Sequence, residues 1–279
     1  MKWGAYARLM RLHKPVGILL LWFPTAIALW MAHSGVPPFD LTLLFLSGTV
    51  VMRSAGCVIN DLADRHIDKD VRRTALRPLT TGELSVRHAL ILFMLLLVIA
   101  ALIVIQLPMA CFYYACLGLL ITIIYPFCKR WIQAPQLVLS LAFSVSIPMV
   151  YIASHTPFNQ DMGLLLLMNI LWVVAYDTMY AMVDREDDRV LGVQSTAVLF
   201  GRYDCWIIAL LHLLMHALWL GIAYHLQCHA LFYVGWGGGA LILGYQHNLI
   251  AHRKPEDCFK AFHWSVAYGF VMWLSVCTI

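Results

Sequence analysis

Two acidic clusters, Asn60-Asp61-Leu62-Ala63-Asp64-Arg65-His66-Ile67-Asp68 and Asp184-Arg185-Glu186-Asp187-Asp188, each follow a long apolar run. Oxygen donors without a supporting Cys or His pair suit a hard cation, and Mg²⁺ is the one held through a few carboxylates plus substrate phosphates. At 100° per residue on a helix, Asp64, Asp68 and Asp61 fall about 40°, 80° and 100° from Asn60, so four oxygen-bearing side chains share one face. His66 and Asp70 fall elsewhere and read as solvated surface. In the second cluster Asp184, Asp187 and Asp188 share a face with Tyr180 and Asp177, while Glu186 points away from it. The competing reading is an ordinary charged helix end, with the carboxylates paired to Arg65, Lys69, Arg72 and Arg73.

Arg53 lies seven residues before Asn60, two turns and roughly 10 Å deeper on the same face. An arginine inside an apolar helix is costly and normally faces a bundle interior or a wet cavity. Asp177 stands at the same depth before Asp184, so a buried Arg53–Asp177 ion pair, structural or functional, is one available geometry. A diphosphate needs cations as well as metal. Arg72, Arg73 and Arg77 follow the first cluster, Arg189 follows the second, and Lys129 and Arg130 follow Tyr125-Pro126-Phe127. Pro126 is expected to break its helix and turn that basic tip inward. Each of these cations also serves as a topology determinant.

The elements that position these groups are membrane helices. Of 279 residues 62% are hydrophobic and only 12% charged, with a mean hydropathy of +0.77, which excludes an ordinary soluble domain. Apolar stretches near the ~20 residues needed to cross a bilayer run from Val16 to Ala32, Leu41 to Ile59, Ala89 to Leu107, Met109 to Phe127, Ala134 to Ala153, Gly163 to Val183, Cys205 to Tyr224, Ala230 to Tyr245 and Ala261 to Ile279. The expected fold is therefore an all-α polytopic membrane protein of about nine helices. With the N-terminus in the cytoplasm, every one of the 19 Lys and Arg except Arg53 falls on the cytoplasmic side, Lys2 included. That is the positive-inside pattern, and it accounts for the net charge of +4 without any nucleic-acid partner. No nucleic-acid motif is present, and the first apolar segment, lacking a small-residue cleavage site, is expected to be a retained helix.

The long hydrophilic stretches, Asn60 to His88, Asp184 to Asp204 and Gln246 to Lys260, all fall on the predicted cytoplasmic side. The first two follow the second and sixth helices, which suggests a duplicated four-helix unit plus a terminal helix, and sites are commonly enclosed between such repeats. One domain over residues 1–279 is expected, with no linker. The eight cysteines lack CxxC spacing and read as small membrane-core residues. His212 and His216 have helical metal-pair spacing but no nearby carboxylate, so interhelical hydrogen bonding is expected of them. Gly237-Gly238-Gly239 lacks the following Lys of a phosphate loop and reads as a close-packing run.

The spacing of these motifs resembles the UbiA superfamily of membrane prenyltransferases. Its first motif, NDxxDxxxD, matches Asn60, Asp61, Asp64 and Asp68, and its second, DxxxD, matches Asp184 and Asp188. Met52-Arg53-Ser54-Ala55-Gly56-Cys57, Arg77-Pro78-Leu79, Tyr125-Pro126-Phe127-Cys128-Lys129-Arg130 and Tyr176-Asp177-Thr178-Met179-Tyr180 carry a further likeness to the branch acting on 4-hydroxybenzoate, and the resemblance runs from Met10 to about Lys260. It implies a helical bundle in the bacterial inner membrane, Mg²⁺ dependence, and transfer of a polyprenyl group from polyprenyl diphosphate to the ring carbon ortho to the phenol, in ubiquinone biosynthesis. On that reading Asn60, Asp64, Asp68, Asp184 and Asp188 hold Mg²⁺ and diphosphate, with Asp61, Asp187 and Tyr180 in support. Arg72, Arg77 and Lys129 are diphosphate contacts, and Arg130 and Arg53 compete for the benzoate carboxylate. The family usually carries lysines where this chain has Val190 and Gln194; Arg189 is the available replacement for one of them.

Two other readings remain at this point. A related enzyme with a different aromatic or quinoid acceptor would carry the same motifs, and a divalent-cation transporter would need acids deep in several helices, where only Asp177 lies here.

Overall fold

Helix boundaries follow the punctuation of the chain. The computed structural model describes residues 3–279 and is all-helical there; Lys2 lies outside the described residues. A short α1 (Trp3–Leu9) precedes α2 (Val16–His33), which stops at Ser34 in the left-handed conformation. Pro37 and Pro38 then lead into α3 (Phe39–Asp64), and Ser85 caps α4 (Val86–Val104) by accepting from the His88 N–H. α5 spans Met109–Cys128. The expected fifth segment is broken into α6 (Pro135–Ser144) and α7 (Ser146–Ala153), because the Pro148 ring collides with the carbonyl four residues earlier, on Ser144. α8 (Gln160–Leu191) begins at Asn159, which accepts from the Met162 N–H, and ends at Gly192 with φ 69°. The short α9 (Thr196–Phe200) leads to α10 (Asp204–His225), α11 (Ala230–Ile250) and α12 (Pro255–Val276).

Among the described residues seven helical segments are both long and apolar enough to cross a membrane. α11 and α12, at 21 and 22 residues, are long enough but less apolar, so the expected count of nine is not established. The protein is an integral membrane protein by the length and composition of those seven segments.

Two hydrophobic cores organise the bundle. The larger joins α2, α7, α8, α10, α11 and α12, with Trp172, Tyr176, Met179, Trp219 and Tyr268 at its centre. The smaller joins α1, α3 and α4 through Leu9, Val58, Leu62 and Phe93. α4 and α5 form an outer flank, on which Leu90, Ile91, Met94, Leu95 and Val98 of α4 are exposed and suited to lipid. Between bilayer-facing surfaces there is no hydrophobic drive to associate, so close packing carries the assembly. The expected glycine run does this on α11: a methyl group on Gly239 would press on Met272, Tyr268 and His216. His212 reaches His247 at 3.3 Å and His216 reaches the Tyr268 hydroxyl at 3.1 Å, the interhelical bonding expected of them. All eight cysteines are free.

Candidate active site

α3 and α8 deliver their acidic motifs to one end of the bundle. At ~1.5 Å per residue the 32 residues of α8 span about 48 Å, well beyond a hydrocarbon core of ~30 Å, so its last turns stand clear of the apolar slab. α3 ends at Asp64, so the expected continuous helical face through Asp68 is not formed. Instead a tight turn returns the chain, with the Ile67 and Asp68 N–H groups both donating to the Asp64 carbonyl at 2.8 Å.

The motifs meet at the mouth of a cavity of about 820 Å³. Asn60, Asp184 and Asp188 line it, together with the cations Arg73, Arg77 and Lys129. Its far end reaches Leu44 on α3 and Met149 on α7. Leu44 and Asn60 are sixteen residues apart on one helix, which makes the cavity about 24 Å deep. Its mouth is polar and its depth is largely apolar, the shape required by a lipid carrying a charged head.

Ion pairs order the mouth. Lys129 bonds Asp64 at 2.8 Å and Asn60 at 3.3 Å. Burial works most strongly against its charge, and the Asp64 carboxylate together with Tyr125 holds the ammonium above its ordinary pKa. Arg77 bridges Asp68 at 2.5 Å and Asp61 at 3.0 Å; burial raises the Asp68 carboxyl above the usual range against the pull of Arg77. Arg73 crosses from the first loop to the second motif. Its Nε donates to Asp184 at 3.0 and 3.1 Å, its guanidinium also donates to the Tyr180 hydroxyl, and it lies over the Tyr180 ring at 4.6 Å.

Several expected residues take other places. Asp61 is buried and holds Arg11 at 2.7 Å as well as Arg77, so from behind the wall it organises two cations that line the cavity. Asp68 likewise stands behind Arg77. Asp187 accepts from the Arg72 backbone N–H at 3.3 Å, while the Arg72 side chain does not line the cavity. Pro126 does not break α5, which continues to Cys128. Arg130 is exposed and donates to the Ala63 carbonyl at 2.9 Å, closing the end of α3 instead of reaching the cavity. Arg53 does line the cavity, and a methyl group on Gly17 would overlap its guanidinium, so the α2 glycine makes room for it. Arg53 and Asp177 form no direct ion pair among the described residues, although both line the cavity. Arg189 pairs with Glu186 at 3.4 Å on the exposed face and does not replace a cavity lysine. Val190 is 86% exposed, whereas Gln194 lines the cavity and its backbone N–H donates to the Lys129 carbonyl at 2.8 Å. Glu186, His66 and Asp70 are exposed, as expected.

Two participants are not singled out by spacing. Arg11, with φ 59°, ties the N-terminal segment to Asp61; its only sequence signal is a basic residue shortly before Pro15. Tyr176 lines the cavity with a buried hydroxyl that has no partner among the described residues, and nothing in its spacing separates it from core aromatics.

The donors fit a hard divalent cation. They are oxygen only, Asp64 Oδ1 is buried without a partner, and Asp188 has no ion pair among the described residues. No three acidic, His or Cys side chains form a ready-made metal cluster among the described residues; Lys129, Arg73 and Arg77 pair instead with Asp64, Asp184 and Asp68.

Residues 21–274 match the UbiA prenyltransferase family. The chain belongs to that family. It is 56% identical over 274 residues to a 4-hydroxybenzoate octaprenyltransferase of Legionella pneumophila, covering 98% of this chain and 97% of the relative. The fold is similar to the apo structure of a UbiA homolog from Aeropyrum pernix K1, with a TM-score of 0.80 at 22% identity over 92% of this chain and 96% of that one. It is also similar to a UbiA homolog from Archaeoglobus fulgidus solved with GPP and Mg²⁺, with a TM-score of 0.72 at 18% identity over 99% and 100% of the two chains. For this UbiA family member the neighbours show the same all-helical fold.

Proposed function

We propose that this protein transfers a polyprenyl group from polyprenyl diphosphate to the ring carbon ortho to the phenol of 4-hydroxybenzoate, releasing diphosphate, in ubiquinone biosynthesis. The observation that carries the reading is the meeting of both motifs and three cations at the mouth of a deep, largely apolar cavity. The 56% identity to a 4-hydroxybenzoate octaprenyltransferase over nearly the whole chain supports the acceptor.

Arg73, Arg77 and Lys129 bind the diphosphate and stabilise the charge that grows on it as its bond to the allylic carbon breaks. Asn60, Asp64, Asp184 and Asp188 are placed to hold Mg²⁺, which when bound neutralises the diphosphate and improves it as a leaving group. Asp61, Asp68 and Asp187 keep the surrounding cations and loop in position. The helix bundle excludes water from the reacting carbon. Arg53, and not the outward-turned Arg130, binds the benzoate carboxylate. The positive-inside pattern supports insertion in the bacterial inner membrane with the N-terminus and the motif loops in the cytoplasm.

Purified protein incubated with labelled 4-hydroxybenzoate, a polyprenyl diphosphate and Mg²⁺ is expected to form a labelled lipid product. Asp64→Ala and Asp184→Ala are expected to abolish it. Unchanged product in both variants would refute the site assignment, and product from other phenols but not from 4-hydroxybenzoate would refute the acceptor.

A further inference from the structure

Below the diphosphate mouth the same cavity holds a second set of polar groups. Arg53 on α3 and Asp177 on α8 each precede the first donor of their motif by seven residues, which places both about 10 Å deeper. Both line the cavity, as do Tyr125, Gln136 and Tyr176. Arg53 Nε and Tyr176 Oη are buried and have no hydrogen-bond partner among the described residues. Leaving such atoms unpaired forfeits their hydration with nothing in return, so exceptions of this kind call for an explanation. Asp177 forms no ion pair among the described residues; Lys129, Arg53 and Arg73 act on it through space, and the Gln136 side chain is hydrogen-bonded to it. Opposite charges that share a cavity without touching suit a molecule with an anionic group for one and a proton donor for the other.

We propose that Asp177 is a catalytic residue that accepts the phenolic proton of the aromatic acid whose carboxylate is held by Arg53. This rests on the acceptor assignment above. A phenolate is a far stronger carbon nucleophile at its ortho position than a phenol, so removing that proton as the new bond forms lowers the barrier. In the first step the C1–O bond of the allylic diphosphate breaks, with its electron pair leaving on diphosphate. The ortho carbon forms the C–C bond to C1, and the phenolic proton passes to the Asp177 carboxylate. The product is a neutral dienone. In the second step the ring proton leaves to the released diphosphate, the ring regains aromaticity, and Asp177 returns its proton to the oxygen. One proton and one diphosphate are released overall, and Asp177 ends as it began.

The titratable groups around Asp177 come from several elements. Arg53 faces it from α3, Tyr125 and Lys129 from α5, Arg73 from the loop after α3, and Tyr176 from its own helix. α12 contributes His263, whose Nδ1 is bonded to the Phe259 carbonyl at 2.8 Å, and Glu256 at the mouth. The α2 and α6 linings, Gly17, Leu20, Gln136 and Leu139 among them, contribute none.

The test compares the full-length protein with Asp177→Asn in detergent, using 4-hydroxybenzoate and 3-fluoro-4-hydroxybenzoate across a pH series. The fluorinated phenol is more acidic and needs less help to ionise. Asp177→Asn is expected to lower kcat for 4-hydroxybenzoate at neutral pH by about 10²–10⁴, with KM for the prenyl diphosphate unchanged. The deficit is expected to shrink at least ~10-fold with the fluorinated acceptor or at high pH, a selective rescue that a purely structural role would not produce. A deficit equal for both acceptors at every pH, or no deficit, overturns the proposal. Should Asp177→Asn fail to fold, Asp177→Glu keeps the carboxylate: retention of the parent's pH profile supports the proposal, and loss of the profile in folded protein overturns it. If the unsubstituted protein does not prenylate 4-hydroxybenzoate at all, the acceptor assignment itself has failed.

Discussion

The acidic motif at the end of α3 and the one near the end of α8 reach the same cavity mouth by different constructions. The first belongs to a small core with α1 and α4 and is laced by ion pairs: Asp61 to Arg11 and Arg77, Asp68 to Arg77, Asp64 to Lys129. The second rides on a helix whose apolar window is 61% buried, against 33% for α3, and it needs fewer local ties. Asp184 has one arginine and Asp188 has none. A rigid, well-packed helix can present carboxylates with little help, whereas a helix end followed by a long loop needs salt bridges to hold its acids in place.

That contrast predicts a division of labour. Asp184→Asn and Asp188→Asn are expected to reduce turnover by about 10²–10³ while melting in detergent stays unchanged; a lowered melting point with normal specific activity would place the second motif in the scaffold. Asp61→Asn is expected to do the reverse, costing about 3 kcal/mol of stability because two arginines lose a buried partner. Chemical or thermal unfolding measures it, and equal behaviour of Asp61 and Asp188 variants would erase the contrast. The smallest expected effect separates two arginines. Arg53→Ala should raise KM for the aromatic acid by about tenfold, the loss of one charge-assisted hydrogen bond, while Arg130→Ala leaves that KM within about twofold. Saturation curves for the acceptor at fixed prenyl diphosphate decide between them.

Much of the site is legible from residue type and spacing. Asn60, Asp184 and Asp188 line the cavity as their motif positions suggest, and the lone intramembrane cation, Arg53, faces the interior for the reason that makes such a residue rare. The departures share a cause, which is that chain neighbours need not be neighbours in space. Lys129 and Arg130 are adjacent in the chain, yet one enters the cavity and the other bonds the Ala63 carbonyl, because Pro126 is absorbed within α5 and the helix end is not turned as expected. Helical arithmetic places Asp68 on the face of a helix that stops four residues earlier. Arg189 has the spacing of a substitute lysine, but the last turn of α8 points it outward to Glu186.

The amino-acid order alone determined the all-helical, membrane-embedded character of the chain and its two oxygen-rich motifs, because hydropathy and helical periodicity are properties of neighbouring residues. Which cation meets which carboxylate was decided only by the tertiary structure. Arg11 with Asp61, Lys129 with Asp64 and Arg73 with Asp184 are separated by 50, 65 and 111 positions, and Coulomb energy depends on distance in space. The cavity that makes Arg53, Tyr176 and Asp177 neighbours exists only once α3, α5 and α8 have packed together.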